Sequence, residues 1–385
     1  MSIFTPLDRA AASAFELQGS YKGWIHSIEG LRGFAAFLVY LVHYATLIRP
    51  WMPEKSITYY VSETLFSIGN VGVDIFFAIS GFLIYAMLIR RERPFLPYAK
   101  RRIARIYPVF LAVMLIYTAL SFVVPSESKI PTGGEQAVWY LIANYLLLPG
   151  IFDIEPMIVV AWSLSYEMFF YLVIPIIMTV CGLRKVPGTL RILMWFLLWV
   201  GVYFVAPDHF RASMLIVGIL VFETSQLISR DRGSASITLC ALTAFAAVLA
   251  FKASIYLDVV TFNNAGKLSK VLLFGACYLL CIAVFCKDGW LSRCFSGRYF
   301  RYFGNMSYSF YLIHGLTLKF IFLVMGILLP AEIYASSLWF WVLFLPAFLA
   351  SSAVSAALFL LVERPFSLDG VGVFDLMRSR SVSAS

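Results

Sequence analysis

Ile28-Glu-Gly-Leu-Arg-Gly-Phe-Ala-Ala-Phe-Leu-Val-Tyr-Leu-Val-His-Tyr-Ala-Thr-Leu-Ile48 is a 21-residue run in which Glu29, Arg32 and His43 are the only acidic, basic or imidazole side chains. A helix of that length rises about 30 Å, the thickness of a bilayer's hydrocarbon core. Ten further apolar runs follow, at 65–89, 105–124, 136–149, 159–181, 190–206, 211–228, 236–256, 268–286, 305–329 and 336–362. The chain has 385 residues, 61% hydrophobic and 13% charged, with a mean hydropathy of +0.85. Soluble domains carry roughly 25% charge, so a soluble globular fold is excluded. At about 20 residues per span, this apolar content furnishes on the order of ten spans.

The expected fold is all-α: a polytopic integral membrane bundle of about ten transmembrane helices. The run 136–149 is too short to cross and ends in Pro149-Gly150, so it reads as a re-entrant or interfacial segment. Charge supports leaving it out. Arg90, Arg91, Arg93, Lys100, Arg101, Arg102 and Arg105 face one acid, Glu92, between two spans, which fixes that loop as cytoplasmic. With ten spans, 21 of the 30 Lys and Arg lie on the cytoplasmic side and seven on the other, Arg32 and Lys319 being inside spans. Both termini are then cytoplasmic. The expected organisation is a cytoplasmic segment 1–27, a transmembrane domain 28–366 and a disordered cytoplasmic tail 367–385. Residues 1–29 show no apolar stretch of the kind a cleaved signal needs, so the first span serves as the membrane address. The six cysteines have no metal or CxxC spacing and read as small core hydrophobes.

Ionisable residues inside spans are costly and mark function by default. Here they are Arg32, His43, Asp74, Glu167, Glu223, His314 and Lys319. Counted at about 1.5 Å per residue, His43, Asp74 and Glu167 fall at one depth, roughly 9 to 14 Å from the outer edge. A histidine with two carboxylates is the set that a general base and its orienting partners require; the plainer reading is three separate polar staples between helices. Arg32 and His43, eleven residues apart, share one helix face. Arg32 either holds an anion in that groove or snorkels to headgroups.

Asp74 and Ser80 are bracketed by Gly72 and Gly81, which permit close helix approach. Ser163 and Glu167 share a face at i and i+4. Arg101 and Arg105, also at i and i+4, form a two-guanidinium clamp suited to phosphate, although positive-inside topology alone would place basic residues there. By depth His314 lies too far from His43 to share a proton directly, and either lines the cytoplasmic half of a cavity or pairs with another helix. Glu223 has no evident partner, and His26 and His209 read as exposed.

Taken together, Glu29-Gly-Leu-Arg-Gly-Phe-Ala-Ala with His43, Gly72-Val-Asp-Ile-Phe-Phe-Ala-Ile-Ser-Gly-Phe-Leu-Ile84, Arg101-Arg-Ile-Ala-Arg-Ile-Tyr-Pro108, Trp162-Ser-Leu-Ser-Tyr-Glu167, Tyr302-Phe-Gly-Asn-Met-Ser-Tyr-Ser-Phe-Tyr-Leu-Ile-His314 and Glu363-Arg-Pro-Phe366 resemble the acyltransferase 3 family of bacterial membrane O-acyltransferases, over residues 28–366. The resemblance implies a ten-span inner-membrane bundle. Such a bundle passes an acyl group, usually acetyl from cytoplasmic acetyl-CoA, to a hydroxyl of an envelope saccharide such as exopolysaccharide, O-antigen or a lipid-linked precursor. It makes His43 the essential histidine and Arg32 the arginine paired with it. Arg101 or Arg102 with Arg105 becomes the motif that holds the CoA. Asp74 or Glu167 would orient His43, and Ser80, Ser163 and His314 would line the substrate cavity, the serines being possible acyl carriers. No metal and no nucleic acid are expected. The soluble esterase-like domain that some members carry after the last span is not seen, so a fused relay onto peptidoglycan is not expected. A transporter or flippase without chemistry is the competing class, since a buried His/Asp/Glu set also suits proton-coupled transport. The arginine pair argues against it, because a proton-coupled carrier does not need one.

Overall fold

The computed structural model describes residues 6–16, 26–227, 235–285, 289–329 and 336–368. Among them no strand occurs; the helices are α1 (Pro6–Phe15), α2 (His26–Ile48), α3 (Ile57–Gly69), α4 (Val71–Arg90), α5 (Phe95–Val123), α6 (Gly134–Tyr145), α7 (Trp162–Val180), α8 (Gly188–Val205), α9 (Met214–Leu227), α10 (Ala235–Tyr256), α11 (Ala265–Phe285), α12 (Trp290–Phe295), α13 (Arg298–Asn305), α14 (Ser307–Leu328) and α15 (Leu338–Leu358), the last continuing as a π-helix over Phe359–Leu368. Ten helical stretches are long and apolar enough to cross a membrane. They correspond to the expected runs with 136–149 left out. In that stretch α6 has only 12 residues and is closed off by positive φ at Leu147 and Gly150. The Asn144 side chain accepts from the Met157 amide at 2.7 Å, and the Tyr166 hydroxyl donates to the Gly150 carbonyl at 2.5 Å, tying the turn to α7. Burial, with Glu155 nearby, pushes the Tyr140 hydroxyl on α6 up to about 12, so it keeps its proton at neutral pH.

The chain divides into two compact units, Met1–Met87 with Lys185–Ser351, and Leu88–Arg184 with Ser352–Ser385. In the first unit α2 is central: α3, α12, α13 and α14 all pack on it, while α10 pairs with α11 and α8 with α9. Small residues allow the approach. A Cβ on Gly72 would meet the Ala35 carbonyl of α2, and one on Gly81 the Leu215 carbonyl of α9, which is the role their positions suggested. The second unit packs α5 against α7 and the π-helix. Internal prolines at Pro108, Pro175 and Pro346 persist inside membrane-length helices, and one turn after Pro175 the Thr179 hydroxyl donates to the Pro175 carbonyl at 2.9 Å. Large apolar side chains such as Leu193, Leu197, Phe204 and Val205 on α8 are exposed, as a lipid-facing helix requires, because lipid is as apolar as the side chains it covers.

Two expectations change here. Cys277 and Cys281 are buried, but Cys181, Cys240 and Cys294 are exposed on helix surfaces, so only part of the cysteine set belongs to the core; Cys286 lies outside the described residues, as do residues 369–385 of the expected disordered tail. Glu223 does have partners: Arg191 binds it at 2.5 and 2.8 Å, and the Tyr85 hydroxyl donates to it. A carboxylate 1% exposed is held by a cation on the neighbouring span, which no local pattern on α9 reports.

Candidate active site

Arg32 and His43 both lie half-buried on α2, three turns apart. Tyr40, three residues before His43, and Tyr44, the next residue after it, stack on one another at 5.8 Å and are fully buried. Their hydroxyls donate to the Phe344 and Phe340 carbonyls of α15 at 3.0 and 2.5 Å. These bonds leave the rings rigid and the phenolic protons engaged, so the wall beside His43 is apolar in character and fixed in shape.

His314 on α14 completes this cluster. Its ring lies 5.0 Å from that of His43, centroid to centroid, at 66°, and is stacked on Phe310 at 5.3 Å. The estimate that placed these histidines at different depths is thereby overturned. It assumed that the span containing His314 begins level with the start of α2. Instead, α13 runs alongside α2 first. Arg301 donates to Glu29 at 2.7 Å, a Cβ on Gly304 would overlap the Glu29 carbonyl, and one on Gly33 would lie 3.0 Å from the Gly304 amide. Backbone contact between α13 and α2 therefore sets the register, so α14 starts further along α2 than a count from apolar run ends implies.

The protonation of His314 follows from its partners. Nδ1 lies 2.8 Å from the Phe310 carbonyl oxygen, which can only accept, so Nδ1 carries the proton of the neutral ring. Nε2 is then a lone-pair acceptor. It is fully buried and has no hydrogen-bond partner among the described residues.

Asp74 is placed differently from the expectation. Arg211 binds its carboxylate at 3.0 and 3.4 Å and also donates to the Asn70 carbonyl, at the break between α3 and α4. One guanidinium thus satisfies an exposed helix-end carbonyl and a carboxylate that is 3% exposed; His43 is not among the hydrogen-bond partners of Asp74 in the described residues. The sequence marked Arg211 only as a basic residue outside the spans. Ser80 is buried on the same helix.

The second unit carries the other candidates. Glu167 is half-buried on α7, and the Ser163 hydroxyl donates to the Val160 carbonyl at 3.1 Å. Arg101 is exposed. Arg102 lies over the Tyr98 and Tyr171 rings at 5.6 and 5.9 Å. Arg105 donates to Glu363 at 2.8 Å, and that carboxylate is fully buried. The expected pair of open guanidiniums at 101 and 105 is therefore not what this unit presents: Arg105 comes with its charge partnered, and Arg101 and Arg102 are the ones at the helix start. Glu363 was legible as part of a motif but not as a partner of α5. Among the described residues no group of three or more His, Cys, Asp or Glu is disposed to hold a metal ion.

A family model described as an acyltransferase domain matches residues 25–359. Acyltransferase MdmB of Streptomyces mycarofaciens is 32% identical over 174 residues, 44% of this chain and 42% of that protein. An uncharacterized protein of Haemophilus influenzae is 30% identical over 154 residues, 36% of this chain and 62% of that one. O-acetyltransferase OatA of Staphylococcus aureus is 27% identical over 168 residues, 40% of this chain and 25% of that protein. The chain thus spans less than two thirds of each of these relatives. No solved structure matches.

Proposed function

The chain belongs to the acyltransferase 3 family, and from that premise we propose that it is a membrane O-acyltransferase that moves an acetyl group from acetyl-CoA to a hydroxyl of an envelope saccharide, with His43 as general base. The observation that carries this reading is a half-buried imidazole on an apolar helix, five residues before its end, with Tyr40 and Tyr44 of the same helix tied to α15 and no hydrogen-bond partner among the described residues. A base so placed is free to meet a substrate proton. The O-acetyltransferase OatA relative favours acetyl.

In the reaction the saccharide oxygen attacks the thioester carbon as His43 removes its proton. The C–S bond then breaks, and the proton returns to the departing thiolate, so CoA leaves as a thiol. Arg101 and Arg102 supply positive charge for the phosphates of the CoA, and Arg105, held by Glu363, shapes the same helix. Arg32, on the His43 face of α2, draws the donor's anionic arm along that face. The side chains of Asp74 and Arg211 serve the helix break instead of the base. Direct transfer is favoured over a carrier serine at position 163, whose hydroxyl is donated to the backbone. The excess of Lys and Arg in the loop between α4 and α5 orients the protein in an inner membrane with both termini cytoplasmic.

Purified protein in lipid nanodiscs, given labelled acetyl-CoA and envelope saccharide, should transfer label or slowly hydrolyse the donor, and His43→Ala at equal membrane level should not. Full transfer by His43→Ala would overturn the base, and no saturable acetyl-CoA binding would return the protein to the transporter class.

A further inference from the structure

The Nε2 lone pair of His314, five ångströms from the His43 ring between centroids, is among the buried polar atoms without a partner in the described residues. A buried acceptor left unsatisfied is destabilising, and most buried polar atoms in folded proteins have partners. The neighbourhood offers few. The Nδ1 side of the ring is committed to the Phe310 carbonyl at 2.8 Å. One face is covered by Phe310 at 5.3 Å and 2°. Tyr40 and Tyr44 have given their protons to α15 carbonyls. Of the rings beside it, His43 is the nearest, 5.0 Å away between centroids against 5.3 Å for Phe310 and 6.5 Å for Tyr311, and His43 makes no hydrogen bond of its own among the described residues.

We propose that His314 is the positioning residue of His43: its Nε2 accepts an N–H of the His43 ring and thereby fixes the tautomer that leaves the other His43 nitrogen as the base. This rests on the reading of His43 given above. The argument is one of complementarity. His314 is locked as an acceptor at Nε2 by a carbonyl that cannot donate, so it can pair only with a nitrogen that carries a proton. A neutral His43 has one such nitrogen, and engaging it leaves the second lone pair for the substrate hydroxyl. When His43 takes that proton, the positive charge spreads onto an N–H that already has an acceptor, which stabilises the imidazolium without a carboxylate. The same part is played by a carboxylate in hydrolytic triads; here Asp74, the carboxylate expected in that role, is occupied by Arg211. The ring centroids lie 5.0 Å apart, and catalytic hydrogen bonds often close only when substrate is bound. His314, stacked on Phe310, bonded at Nδ1 and fully buried, is the fixed partner.

The test uses full-length protein in nanodiscs. The chain has four histidines, so its ¹⁵N-imidazole spectrum is small enough to assign by single variants. Wild type should show His43 in one tautomer, and His314→Ala should show it as a mixture; an unchanged His43 signal overturns the proposal whether or not acyl transfer is observed. In turnover, His314→Ala should lower kcat about 100-fold, with KM for donor and acceptor within about twofold. His314→Gln, whose amide oxygen can stand at the Nε2 position, should recover most of the loss, whereas His314→Asn, reaching only to the Nδ1 level, should not. Should the alanine variant fail to fold, the Gln and Asn variants still decide, being both polar and both smaller than His. Equal kcat for the two at equal melting temperature overturns the proposal. An inactive wild type would count against the acyltransferase reading, whereas an active wild type with an inactive His43→Ala and a fully active His314→Ala would sink only the positioning role.

Discussion

Two polar pairs in the first unit, Asp74 with Arg211 and His43 with His314, occupy similar apolar surroundings and are finished in opposite ways. The carboxylate of Asp74 has both oxygens on one guanidinium, which also closes the helix break at Asn70. Nothing is left over, and such a pair holds helices in place. The histidines have an acceptor without a donor, and a ring without a partner beside it. The difference teaches that a buried ionisable residue in a span is not by itself a sign of chemistry. Glu223 with Arg191 and Tyr85, Arg49 with Glu63 and Tyr256, and Arg105 with Glu363 are likewise completed sets. What distinguishes the candidate base is unfinished hydrogen bonding.

If that contrast is right, the two kinds of pair respond to mutation in different observables. The largest effect is on turnover: His43→Ala should lower acyl transfer by about 10²- to 10⁴-fold and leave the apparent melting temperature in detergent nearly unchanged, since no charged partner is orphaned. Next, Glu223→Ala strands Arg191, which is only 14% exposed, and should destabilise by about 3–5 kcal/mol, seen as a marked drop in melting temperature; in the folded fraction the specific activity should stay near wild type. Asp74→Asn keeps the shape but removes the charge opposite Arg211 and should cost about 1–3 kcal/mol; a selective loss of kcat without a stability change would put Asp74 back among the catalytic groups. The smallest effect is expected at Arg49→Lys: Arg49 is 42% exposed and lysine keeps a positive charge beside buried Glu63, whose bond from Tyr256 also remains, so at most about 1 kcal/mol should be lost with no change in transfer.

A further contrast lies between the two faces of the glycine set. Gly304→Ala would push α13 off the Glu29 carbonyl and shift the register that brings His314 to His43, so it should lower activity more than its stability loss accounts for. The check is kcat measured at matched folded fraction.

Most of the architecture was legible beforehand because it rests on local properties. Bilayer thickness and helical rise set span length, so ten of the eleven apolar runs qualified and 136–149 did not; the same local logic put Arg32 and His43 on one face of α2 and marked Gly72 and Gly81 as points of close approach. The composition decided the membrane class outright, and the ordered motifs pointed to the family that the match over residues 25–359 establishes. What the sequence could not decide was pairing across helices. Arg191 for Glu223, Arg211 for Asp74, Glu363 for Arg105 and His314 for His43 all depend on how far one helix has slid along another. That slide is set by backbone contact at a few glycines, which residue counting from apolar run ends does not register. Because a shift of one turn exchanges one partner for another, tertiary structure alone separated the carboxylates that staple this bundle from the histidine pair whose hydrogen bonding is unfinished.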